Sequence, residues 1–91
     1  MSTEEELHER LQRLHGELGQ VEITDDASRA KIQNLQSGIQ TVLDPTVEIQ
    51  PHHYHSLREQ LKDAVEHFED SHAELTLSIG EVLDNLAAVG L

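Results

Sequence analysis

Leu7-His8-Glu9-Arg10-Leu11-Gln12-Arg13-Leu14-His15-Gly16-Glu17-Leu18-Gly19-Gln20-Val21 decides the fold class. Its apolar residues Leu7, Leu11, Leu14, Leu18 and Val21 advance in steps of 4, 3, 4 and 3. That is a heptad seam on one helix face, whereas a strand would alternate by twos. Upstream, Thr3 with Glu6, or Ser2 with Glu5, makes a capping box. Gly19 stands where a left-handed residue often closes a helix. The spacing predicts a first helix over about 3–19.

The pattern returns downstream. Ser28, Ile32, Leu35, Ile39 and Val42 take the same steps. Thr24, Asp25 and Asp26 offer N-caps, and their acids complement the helix dipole. A second helix is expected over about 25–43, ending at Asp44-Pro45 because a residue before proline is pushed out of the α region. The link between the two is short, which favours antiparallel neighbours. Residues 44–54 hold two prolines and no helical period and read as a connector. Leu57, Leu61, Val65 and Phe68, widened by Ala64, predict a third helix over about 55–70. Leu75, Ile79, Val82, Leu86 and Val89, with Leu83 alongside, predict a fourth over about 72–89, stopped by Gly90. Ser71 with Glu74 is a further capping box and favours a break at Asp70-Ser71. The alternative is one continuous helix, with His72 joining the seam.

These elements give an all-α fold: an antiparallel helical hairpin plus a C-terminal helix or helix pair, forming a small bundle. The last helix is apolar over a wider face than the others. Thr76, Gly80 and Ala87 line one edge of that face, where small residues let another backbone approach. Gly80 costs roughly 1 kcal/mol of helix propensity relative to alanine, and a close helix contact would offset it. Self-association is therefore expected to complete the bundle. The predicted product is a homodimer joined through Leu75, Ile79, Gly80, Val82, Leu83 and Leu86.

Composition narrows the function. The chain has 91 residues, enough for one domain, and a net charge of −12. It has no cysteine, so disulfides, thiolate metal sites and cysteine nucleophiles are ruled out. Nucleic-acid binding needs a basic footprint, and acids here outnumber bases by 18 to 6. The longest apolar run, Leu86-Ala87-Ala88-Val89, is far short of a membrane span. The acidic start, Glu4-Glu5-Glu6, is unlike a signal peptide, so a cytoplasmic location is expected.

The C-terminal half carries a resemblance. His67-Phe68-Glu69-Asp70-Ser71-His72, then Leu75-Thr76, Val82-Leu83-Asp84-Asn85-Leu86-Ala87 and Gly90-Leu91, resembles the bacterial domain-of-unknown-function family 4404. The likeness is loose over the whole chain and good over roughly residues 52–91, with Phe68-Glu69-x-Ser71-His72 as its core. Many members resemble this chain but carry proline where it has Ala73. The resemblance implies the helical fold and a bacterial cytoplasmic origin, and it implies no activity.

Four constellations bear on chemistry. His52, His53 and His55, interrupted by Tyr54, are a short histidine tract of the kind that binds zinc, nickel or copper. The plainer reading is a polar entry to the third helix. Glu5 with His8, and Glu69 with His72, have the i, i+3 spacing of bundle di-iron ligands, but Glu5 and His8 flank the Leu7 seam instead of occupying it. Glu59, Asp63, Glu66 and Asp70 form an acidic stripe on the third helix. From Asp63 onward the chain has seven acids and no base. Such a stripe suits a basic protein partner, or simply keeps the surface solvated. His67 and His72 bracket Phe68 without a nucleophile beside them in sequence, and Ser71 reads as a cap. No phosphate loop or nucleophile elbow occurs. The expectation is a non-enzymatic helical interaction or structural module without cofactor. The alternatives are a metal-binding or metal-responsive protein using the histidine tract, and an acidic antagonist of a basic, nucleic-acid-binding protein.

Overall fold

The structure, a computed structural model, describes residues 3–89. It contains α1 (Thr3–Gln20), α2 (Asp26–Leu43), α3 (Pro51–Phe68) and α4 (Ala73–Ala88). Among the described residues there is no strand. The expected caps on the Ser2 and Thr3 side chains, and the stop at Gly90, lie outside what is described.

Each helix packs on its chain neighbours, and α1 also packs on α4, which closes a ring of four. The short links turn the chain back on itself each time. Arg10 and Glu17 of α1 meet Glu81 and Ser78 of α4, so those two helices run antiparallel. Lys31 and Gly38 of α2 likewise meet Asp63 and Gln60 of α3 in descending order. The molecule measures 35 × 23 × 20 Å, one helix long and two helices wide.

All four seams converge on one core. Leu11, Leu14, Leu35, Ile39, Leu57, Leu61, Phe68, Ile79, Val82 and Leu86 are almost wholly excluded from water. Burying such side chains is the main favourable contribution to folding, at about 1.5–3 kcal/mol each.

Three boundaries depart from the sequence reading. α1 runs through Gly19, because the Val21 N–H continues the helical pattern onto the Glu17 carbonyl at 3.1 Å. α3 begins at Pro51, four residues earlier than expected. Proline suits a first helical position, where no N–H bond is lost, and His53 supplies the cap: its Nδ1 accepts from the Gln50 N–H at 2.8 Å. α3 and α4 are separate, as favoured, but Ser71 does not cap α4. The N-cap is His72, and the Ser71 hydroxyl is bonded to His72 Nδ1 at 2.9 Å. At the start of α2 the expected cap is present: Asp25 accepts from the Ser28 N–H at 2.9 Å.

Candidate functional site

The wide face of α4 is filled by its own chain. Leu75, Ile79, Val82 and Leu86 lie in the core, and Leu83 packs at its edge. At Gly80, no other helix of the chain lies close: a Cβ built there meets nothing within 4 Å. The glycine that does allow close approach is Gly38 on α2. A Cβ there would lie 2.6 Å from Gln60 Oε1 and 3.4 Å from Leu57 Cδ1 on α3. Gln60 Oε1 is itself buried without a hydrogen-bond partner.

The histidine tract does not converge. With α3 starting at Pro51, all three stand near its start, where His52 and His55 share a face at i, i+3 and His53 lies about 100° from His52. His53 spends Nδ1 on the cap, and its ring lies 4.2 Å from that of His52. Among the described residues no group of three or more histidines and carboxylates can hold a metal ion. The metal reading and the two Glu-x-x-His pairs therefore find no convergent ligand set among the described residues.

One polar contact escaped the sequence reading because it spans two helices. Ser28 occupies a seam position of α2 and is buried. Its Oγ lies 2.8 Å from His67 Nε2 on α3. The Ser28 N–H and hydroxyl bind the Asp25 carboxylate and hold it below its ordinary value of 3.8, with a further contribution from nearby His67. A catalytic relay has its carboxylate orient the imidazole. Here Asp25 binds the serine instead, and the trio ties the start of α2 to the end of α3. The His67 and His72 rings meet the buried Phe68 edge-on, at 4.7 and 5.4 Å.

A concavity with a volume of about 750 Å³ lies between the C-terminal end of α1 and the start of α4. Glu17, Glu22, Glu74, His72 and Ser78 supply most of its polar lining, and no lysine or arginine lines it. The Ser78 hydroxyl donates to Glu17 Oε2 at 2.7 Å, which fixes that carboxylate on the groove wall. His72 Nε2 sits 3.4 Å from the Glu22 carbonyl at the groove's end. Three residues beyond Glu74, Leu77 projects from α4 at 70% exposure, the one large exposed hydrophobic among the described residues. It is off the seam, and that displacement was the available signal for it in the sequence. The acidic stripe of α3 is exposed too, but Asp63 is already paired with Lys31.

No described helix is long and apolar enough to cross a membrane. The family model described as "Domain of unknown function (DUF4404)" matches residues 7–91. No curated protein and no solved structure matches the chain.

Proposed function

For a chain that belongs to the domain-of-unknown-function family DUF4404, we propose a role as a non-enzymatic helical module that binds a basic segment of another protein. One observation carries this reading. The core is completed by the four helices of a single chain, so its outward residues are not needed for packing, and from Asp63 onward those residues include seven acids and no base. An exposed surface of one sign attracts the opposite sign and repels its own kind. The alternative of an acidic antagonist is a special case, in which the basic partner is itself a nucleic-acid binder.

The reading is tested by titrating the protein with a lysine-rich helical peptide and with its glutamate-rich counterpart. Binding of the lysine peptide alone is expected, weakening steeply as salt rises from about 50 to 500 mM because screening shortens the reach of exposed charges. Equal binding of both peptides, or none of either, rejects the reading.

A further inference from the structure

Resting on that reading, we propose that the docking site is the groove between α1 and α4 together with Leu77, and that it takes a basic amphipathic helix from another protein. A lysine or arginine of the partner enters between Glu17, Glu22 and Glu74, and an apolar residue one turn along covers Leu77.

The groove provides what a flat acidic surface lacks. It is concave, so a cationic side chain entering it is partly withdrawn from water, where charge-assisted hydrogen bonds strengthen. Its Glu17 carboxylate is already oriented by Ser78 and needs little further ordering. No lysine or arginine lines the groove, and Arg10, further along the seam, is engaged with the Glu81 backbone carbonyl at 3.4 Å. Leu77 stands beside Glu74, Glu81 and Asp84 on the outward side of α4. An apolar anchor framed by acids is complementary to an apolar residue framed by bases. A second copy of this chain is a poor occupant. It would bring its own Glu74, Glu81 and Asp84 against these, and like charges facing each other oppose association. Glu59, Asp63 and Glu66 of α3, with Asp70 just past its end, are the rival location for the same partner, but Asp63 is engaged by Lys31.

The test uses the full chain and an 18-residue helical peptide of lysine and leucine in amphipathic register, followed by fluorescence anisotropy. Two triple variants are compared. Glu17→Gln/Glu22→Gln/Glu74→Gln removes three carboxylates from the groove, and Glu59→Gln/Glu66→Gln/Asp70→Asn removes three from α3 and the turn just past it. The two proteins share one net charge, so a difference between them reports location and not the overall field. The groove variant is expected to bind about tenfold more weakly, the stripe variant within about twofold of the parent. Leu77→Ser, which leaves the charge unchanged, is expected to cost about threefold. Equal weakening by both triples, or a larger effect of the stripe variant, overturns the groove assignment while the broader reading stands. Absence of binding by the parent at low salt overturns both. A sedimentation mass that is dimeric in the parent and monomeric in Leu77→Ser identifies a second copy as the occupant and overturns the basic-partner assignment.

Discussion

The seam between α2 and α3 and the seam between α1 and α4 bury the same kind of apolar stripe, yet their margins differ. The first is bound across: Ser28 to His67, Lys31 to Asp63, and Gly38 tight against Gln60 and Leu57. The second joins the two ends of the chain, carries two side-chain bonds along its middle, and then opens into an acidic groove. Heptad spacing specifies that each helix has a core face. It says nothing of what the flanking positions do once a neighbour is in place. In this molecule one pair of flanks is tied along its length, and the other opens at one end into a groove.

The largest effects test whether the two seams share one core. Phe68→Ala should cost about 3–5 kcal/mol, and Leu35→Ala on α2 and Leu11→Ala on α1 about 2–5 kcal/mol each, in chemical denaturation. A Leu11→Ala loss far below that of Leu35→Ala would show that the α1–α4 side is loosely packed, and the contrast would then extend into the core.

The next pair addresses the margins directly. Gly38→Leu should destabilise by roughly 1–3 kcal/mol, because the added atoms drive into Gln60 and Leu57. Gly80→Leu meets open space and should instead gain up to about 1 kcal/mol of helix propensity. Similar melting shifts of the same sign for both would erase the distinction between a crowded glycine and an open one.

A smaller change follows from Ser28→Ala, which removes the bond to His67. A loss of about 0.5–1 kcal/mol is expected, since the exposed imidazole turns to water. No loss at all would mean that the polar ties of the α2–α3 seam contribute nothing to holding it.

The smallest effect is in pH. Hydrogen bonds from Ser28 depress the Asp25 carboxyl below 3.8 in the folded chain. A depressed carboxyl contributes stability that is present above its unfolded value, and that is lost as pH falls through the folded one. Asp25→Asn keeps a capping side chain but cannot titrate. Its melting temperature should therefore decline less than that of the parent when pH is lowered from about 4 to 2. Parallel declines would place the acid sensitivity elsewhere, with Asp44, which Thr46 depresses in the same way, as the next carboxyl to replace.

Much of the fold was legible because it is local. Steps of four and three name the buried face of each helix, and Asp25 announces the start of α2 by its place before Ser28. The misreadings were also local, and each had a competitor. Gly19 was free to stay helical because the helical hydrogen bond at Val21 outweighs a cap. His53 capped α3 where a glutamate or glutamine is the usual signal. The groove was less legible, since Glu17 and Ser78 are 61 residues apart and only the ring closure sets them side by side.

What the amino-acid order determined alone is the helical class, the seam residues, the acidic charge and the absence of cysteine chemistry. These follow from periodicity and composition, which need no partner in space. Only the tertiary structure decided that the wide face of α4 is consumed within the chain, that Gly38 is the glycine a neighbouring helix of the chain crowds, that His53 is spent on a cap, and that Glu17, Glu22 and Glu74 share one groove. Each depends on which helix lies beside which and at what rotation. A seven-residue repeat is the same in every helix, so it specifies a face to bury and leaves open the neighbour against which it is buried.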